Sequence, residues 1–431
     1  MRLMDYKLFS QEDRLQYLSS QKMTTGISYF GGKSKIGKYI YNTIFNMAVT
    51  MHDNGNKPLI FVDAFTGGGK MALSMPDGWF KLIVMNDLDY GVYCYYKCCQ
   101  ENYRLLLATV DKLVNSMSEQ MFHKCIQIRQ DKELDPYMCG AMTYVCAACS
   151  FNNILDKEKA SYKPSMGDNN EKQELDKIKN RAHKTITKVA KQLSRRDYII
   201  ENLSYEQLIA KYSGLDWQSV EWSLQYIERA ENVKHTPYTI ADFRKEEPEL
   251  FEKYHNKAIS GYEKVSKNIL WYFDPPYHPY CLNGMEDAPY ANSFDYNSVV
   301  YMTRILSGEN TEFGELHYFI KSDYNPKVTV DNAKSQLEKI GTDNEEDMSD
   351  SEKKIYKQCK GILAHEIEMM HDFDCIEDES KGFQCFCVGG FDKGALAKKD
   401  EQLVKTVGFE YVWCKGLPTG YKDIPKVVDK K

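Results

Sequence analysis

Short apolar runs that end on an acid set the pattern of the chain. KPLIFVD (Lys57 to Asp63) leads into Ala64-Phe65-Thr66-Gly67-Gly68-Gly69, and KLIVMND (Lys81 to Asp87) repeats the design. Each reads as a buried strand stopping at a turn, and the gap between them leaves room for a helix in a right-handed βαβ unit. A further apolar run precedes Ala241-Asp242, and Ile269 to Phe273 precedes Asp274. HYFIKS (His317 to Ser322) and GFEYVWC (Gly408 to Cys414) read as later strands. Strands separated by helix-length segments predict an α/β fold.

Between about Ser118 and Asn232 the pattern changes to helical. Ile178, Ala182, Ile186, Val189 and Leu193 recur at helical spacing within Lys177 to Arg196, a stretch with eight Lys and Arg residues and no acid. This predicts an amphipathic helix with a cationic outer face. By itself such a face is as readily a solvated surface as a binding surface. TDNEEDMSDSEKK, from Thr342 to Lys354, reads as an exposed acidic loop, and no repeat of fixed period is present.

Composition narrows the class. At 431 residues, two domains or one with a large insertion are expected. A hydrophobic fraction of 42% supports a sizeable core. The first 21 residues lack the apolar centre of a signal peptide, and the longest apolar stretch, Tyr137 to Phe151, is too short for a membrane span. Thirteen cysteines without framework spacing point to reduced thiols and a cytoplasmic protein. A net charge of −6 weighs against a nucleic-acid partner unless the positive charge is segregated.

The sharpest chemical feature is Asp274-Pro275-Pro276-Tyr277 directly after a strand. An exocyclic amino nitrogen is a poor nucleophile because its lone pair is delocalised into the base. A carboxylate (Asp274) and a rigidly held carbonyl (Pro275) that accept its hydrogens would free that lone pair, and Tyr277 offers a ring for stacking. The plain alternative is a Pro-Pro turn with no ligand. Phe65-Thr66-Gly67-Gly68-Gly69 followed by Asp87 about twenty residues on suits a nucleoside cofactor, although this pair does not separate a nicotinamide dinucleotide from S-adenosylmethionine. Gly31-Gly32-Lys33-Ser34 lacks the first glycine of a phosphate-binding loop, since position 27 is Ile27. Cys146-Ala147-Ala148-Cys149 has half-site spacing for a metal but no second pair, so no metal is expected. No cysteine stands in a motif suited to a nucleophilic thiol.

In order, Tyr29-Phe30-Gly31-Gly32-Lys33, Phe65 to Gly69, a basic middle and Asp274 to Tyr277 resemble the Dam-like family of DNA adenine-N6 methyltransferases, α-group amino-methyltransferases with a DPPY motif. The resemblance implies a Rossmann-like S-adenosylmethionine-dependent methyltransferase sheet with an inserted, mainly helical target recognition domain. It implies cofactor contacts from Tyr29, Gly31, Gly32, Lys33, Asp63, Phe65, Gly67, Gly69, Asp87, Asp242 and Asp274. Of these, Tyr29 and Lys33 would meet the methionine part, Asp87 the ribose and Asp242 the adenine. Asp274, Pro275, Pro276 and Tyr277 would form the catalytic pocket. Phe151-Asn152-Asn153 and the following Lys163-Pro164-Ser165-Met166-Gly167 look like elements of the recognition domain. Asn152, Asn153, Lys163, Lys184, Lys188, Arg195 and Arg196 are the expected contacts to double-stranded DNA. Two departures stand out: Asp63-Ala64 replaces the usual Glu-Pro, and Asn153 replaces a glycine.

The expected organisation is residues 1–117 as the first part of the catalytic domain, 118–232 as recognition domain, and 233–431 as its completion with an extended insertion near 326–406. The expected activity is site-specific methylation of adenine N6. Cytosine N4, adenine in RNA, a non-catalytic DNA-binding relative and a nicotinamide-dependent oxidoreductase are the alternatives; the last leaves Asp-Pro-Pro-Tyr unexplained.

Overall fold

The computed structural model describes residues 8–10, 13–14, 16–17, 23–29, 37–212 (apart from 57, 59, 77, 165–169 and 195–197), 266–276, 296–308, 315–323, 326–366 (apart from 365), 381–392 and 407–418. Seven strands form one sheet: β1 (Ile60–Asp63), β2 (Leu82–Asn86), β3 (Tyr198–Glu201), β4 (Ile269–Phe273), β5 (Phe319–Asp323), β6 (Phe383–Asp392) and β7 (Val407–Lys415). Their order is β3-β2-β1-β4-β5-β7-β6. β1 to β5 are mutually parallel, and β7 runs antiparallel to both β5 and β6.

Both faces of the sheet are covered, which is why its strands read as continuous apolar runs rather than alternating ones. Phe61, Ile83, Met85, Leu270 and Tyr272 point to one core, while Val62, Val84, Ile269, Trp271 and Phe273 point to the other. Helices α1 (Gly37–Asp53), α3 (Tyr90–Asn115), α4 (Glu119–Ile128), α5 (Pro136–Cys149) and α6 (Glu171–Leu193) line the first face. The short α2 (Lys70–Leu73) connects β1 to β2. α7 (Tyr205–Tyr212) and α8 (Tyr296–Ser307) line the second face. The helix starts follow local chemistry. Asp89, Ser118, Asp135 and Asn170 each accept a backbone N–H from the first turn of α3, α4, α5 and α6, and Pro136 occupies the first turn of α5.

The strands expected at Lys57–Asp63, Lys81–Asp87, Ile269–Phe273, His317–Ser322 and Gly408–Cys414 are present as β1, β2, β4, β5 and β7. The amphipathic helix is present as α6, with Ile178, Ala182, Ile186, Val189 and Leu193 all buried. It begins earlier than its basic stretch, at Glu171, where Glu171 and Glu174 complement the helix dipole. Two strands are not apparent from the pattern. Tyr198–Glu201 lies inside the span 118–232 yet forms the edge of the sheet against β2. Phe383–Asp392 lies inside the span 326–406 and pairs with β7. The helices α4 to α6 share one core with the sheet. The run before Ala241-Asp242 lies outside the described residues.

The stretch after β5 holds α9 (Pro326–Ile340) and α10 (Asp350–Ala364), packed through a small core of Val330, Ala333, Cys359 and Ile362. The acidic segment from Thr342 is therefore a loop only to Ser349. There Ser349 and Glu352 exchange hydrogen bonds, Ser349 N–H donating to Glu352 at 2.8 Å and Glu352 N–H to Ser349 Oγ at 3.3 Å. This reciprocal cap turns the acidic run into the start of α10.

Candidate functional site

In the parallel part of the sheet the strand order reverses between β1 and β4, because β2 and β3 lie to one side of β1 and β5 lies beyond β4. Crossovers on either side of that point leave a crevice at the carboxyl ends of β1 and β4. Asp63 ends β1 and Asp274 directly follows β4, with Asp63 in register with Tyr272. Asp87 follows β2. The two strands flanking the reversal and the next one over thus bring three carboxylates to one edge.

Backbone geometry holds these acids in place. Ala64 N–H donates to Tyr272 O at 2.9 Å and Thr66 N–H to Asn86 O at 2.8 Å, tying the glycine turn to both neighbouring strand ends. Gly67 and Gly69 have φ of 44° and 69°, in the left-handed region that suits glycine. A Cβ at Gly67 would stand 3.1 Å from the Tyr29 ring, and one at Gly69 would stand 2.5 Å from the Tyr96 hydroxyl. Tyr29 is thereby placed against the turn. Phe65 packs beside Tyr205, with ring centroids 6.1 Å apart. Gly67 N–H donates to Asp87 Oδ2 at 2.7 Å, and Asp89 N–H to Asp87 Oδ1 at 2.9 Å.

The electrostatics are those of crowded acids. Burial pushes the Asp63 carboxyl well above its ordinary range, and Asp274 and Asp87 nearby push it further, against a hydrogen bond from Ala72 N–H. Burial, then the Asp89 carboxylate, push Asp87 up to about 7; the N–H groups of Asp89 and Gly67 and the Arg129 charge pull the other way. Asp63 Oδ1 is buried with no hydrogen-bond partner. A buried carboxylate oxygen left without a donor, among mutually repelling acids, fits a ligand that brings positive charge and hydroxyl donors. S-adenosylmethionine has both, in its sulfonium and ammonium groups and its ribose.

Three residues that the sequence pattern does not single out complete the edge. Asn86, 1% exposed, donates to Ala64 O and Leu203 O at 3.0 Å each and accepts from Leu203 N–H at 2.9 Å, stitching together the chain beyond β1, β2 and β3. Asp89 and Arg129 form a buried ion pair behind Asp87. An Asn at the end of an apolar run is the one readable signal; the ion pair joins residues forty apart and has none.

The expected recognition residues lie elsewhere. Asn152 and Asn153 follow α5 with φ of 55° and 58°. Asparagine tolerates this region better than other residues with a side chain, so Asn153 keeps the conformation a glycine would take. The loop they begin is closed by a bridge between Ser150 and Tyr162, and Phe151 stands exposed on it. Tyr162 donates to Glu171 at 2.6 Å, docking the loop on the first turn of α6. Lys163, Lys184 and Lys188 are exposed, and none has an ion-pair partner among the described residues. Gly31, Gly32, Lys33, Arg195, Arg196, Asp242 and Tyr277 lie outside the described residues.

Cys146 and Cys149 are buried in α5, and no three His, Cys, Asp or Glu side chains group as metal ligands among the described residues. No helix among them is long and apolar enough to cross a membrane.

Fold and site together define an α/β protein with three carboxylates gathered at the switch point of its sheet. The chain matches, over residues 29–216, the model of the family described as D12 class N6 adenine-specific DNA methyltransferase. It is an S-adenosylmethionine-dependent enzyme that methylates adenine in DNA. The match ends before Asp274. Comparison with curated proteins gives no match.

Proposed function

We propose that the chain methylates N6 of an adenine extruded from double-stranded DNA, with Asp274, Pro275, Pro276 and Tyr277 forming the pocket for the flipped base. The observation that carries this reading is Asp274 at the end of β4, electrostatically coupled to the buried Asp63 across the switch point. In this reading Asp274 and the Pro275 carbonyl accept the two amino hydrogens, which drives the nitrogen towards tetrahedral geometry and frees its lone pair. The cofactor supplies a methyl group already activated on a sulfonium. The positive charge developing on nitrogen is met by the Asp274 carboxylate, and the rigid Pro-Pro backbone holds both acceptors in place. Tyr277 stacks on the base.

Asp63, Asp87, Phe65, Gly67, Gly69 and Tyr29 are the cofactor contacts in this reading, joined by Gly31, Gly32, Lys33 and Asp242. The loop of Asn152, Asn153 and Lys163 and the outer face of α6, with Lys184 and Lys188, form the DNA side in this reading, and Arg195 and Arg196 are assigned to the same role. The recognition region is then α4 to α6 with the loop between α5 and α6, built onto one face of the sheet. The ten cysteines whose side chains are described are all free, which supports a cytoplasmic protein with reduced thiols.

Incubation of unmethylated DNA with protein and S-adenosylmethionine, followed by nucleoside mass spectrometry, tests the reading directly. N6-methyladenine that disappears with Asp274→Ala, while cofactor binding persists, is the expected result. Methylcytosine would correct the base while keeping the pocket chemistry. Full activity of the variant would remove Asp274 from the mechanism.

A further inference from the structure

Asp87 is held by more than its own strand. Asp89, whose N–H donates to Asp87 Oδ1, is 0% exposed and caps α3 by accepting Val92 N–H at 3.2 Å. Its two carboxylate oxygens receive Nη1 and Nη2 of Arg129 at 2.7 and 2.6 Å. Arg129 stands at the end of α4, is 0% exposed as well, and extends Nη2 to the Leu155 carbonyl at 3.4 Å. Leu155 belongs to the loop that carries Asn152 and Asn153. The first turn of α3 leaves no space beside the guanidinium: a Cβ on Gly91 would lie 2.0 Å from Thr143 Oγ1 and 3.0 Å from Arg129 Nη1.

Stability alone is a poor explanation for this pair. Removing two ions from water offsets most of their attraction, and well-packed apolar residues often serve as well. Arg129 Nε is, in addition, buried without a hydrogen-bond acceptor. What a two-pronged guanidinium–carboxylate contact provides is orientation. The oriented element is the turn Asp87-Leu88-Asp89, which aims one of the three acids of the crevice.

We infer that Arg129 is a positioning residue for the cofactor: by gripping Asp89 it fixes the turn that aims Asp87, and it ties that turn to the loop on the DNA side. The inference rests on reading Asp87 as the acceptor for the cofactor's ribose hydroxyls. Among the described residues, the titratable and charged groups that act on Asp87 are Asp63, Asp89, Tyr96 and Arg129. Asp89 raises its proton affinity and Arg129 lowers it. Changing either partner therefore displaces the titration of Asp87 in opposite directions, a signature that loss of folding does not produce.

The test is the KM for S-adenosylmethionine and kcat across neutral pH for the full chain and four variants. Arg129→Met is expected to raise KM by roughly 10- to 100-fold with a smaller change in kcat, since a misplaced binding group costs about that much. It also moves the pH at which cofactor binding strengthens upward. Arg129→Lys keeps that pH near the wild-type value but recovers only part of the affinity, because an ammonium lacks the planar fork. Asp89→Asn keeps the helix cap and moves the pH downward. Should Arg129→Met fail to fold, Arg129→Lys and Asp89→Asn carry the test. Folded Arg129→Lys and Asp89→Asn proteins with unchanged KM and unchanged pH dependence would overturn the role of Arg129. Asp87→Asn separates the two layers. Intact cofactor affinity in that variant would overturn the ribose reading and this inference with it. Lost affinity there, with no effect of the Arg129 and Asp89 variants, would overturn this inference alone.

Discussion

The acidic crevice and the basic helix carry opposite charge, and they hold it in opposite ways. Asp63 and Asp87 sit at strand ends where backbone N–H groups aim them, and burial with mutual repulsion raises their proton affinity. Lys184 and Lys188 stand on the exposed side of α6, whose other side is packed into the core. The first arrangement suits a small ligand whose charges must meet fixed partners at short range. The second suits a polyanion that is attracted over a Debye length and needs no single geometry. A net charge of −6 for the chain is consistent with DNA as substrate because the two charge sets are segregated.

The largest expected effect that sharpens this contrast is at Asp63. Asp63→Asn removes a buried, repelled carboxylate, so the ligand-free protein is expected to melt at higher temperature while cofactor affinity falls by about 10- to 100-fold, the value of a hydrogen bond to a charged group. Thermal shift with and without S-adenosylmethionine reads both; affinity unchanged in the variant would break the contrast by making the acid a structural one. The pH dependence follows next. Because the folded state holds the Asp87 proton more tightly than the unfolded chain does, its contribution to stability is lost as pH rises from the ordinary carboxylate range through about 7. Cofactor affinity is expected to rise over the same window as the carboxylate forms. The difference between wild type and Asp87→Asn isolates both trends, and parallel curves for the two proteins would refute them.

The basic side predicts smaller, additive changes. Lys184→Ala and Lys188→Ala should each weaken binding uniformly across DNA sequences and make the dependence of log K on log salt shallower by about one unit. An unaltered salt slope would leave α6 as a solvated face. Smallest of all is the turn at Asn153. Asn153→Gly is expected to be nearly neutral in stability, whereas Asn153→Val costs about 1–2 kcal/mol because a branched side chain resists left-handed backbone. Denaturant unfolding of the two variants checks this.

Much of this contrast is legible in the residue pattern alone. Asp63, Asp87 and Asp274 stand at the ends of apolar runs, and a strand buried on both faces leaves such runs as its mark. The cationic stripe of α6 is legible because 3.6-residue periodicity separates its two faces. β3 is hidden because YIIE is short and follows directly on a basic helix. β6 is hidden because its glycine pair and its cysteines break the apolar run in a strand near the sheet edge. The helical middle packs into the same core as the sheet, a matter of partner choice that periodicity does not encode.

Local pattern by itself therefore determined which segments become strands and helices, which acids end the strands, and where positive charge gathers, because these depend on neighbours a few residues away. Only the tertiary structure decided that the strand order reverses between β1 and β4, bringing Asp63 and Asp274 to one crevice although about two hundred residues of chain separate them. It also decided that Arg129 meets Asp89. Such contacts depend on how buried faces pair across the whole chain, and burial rewards any apolar partner of the right shape; the sequence marks the faces, and packing selects the pairs.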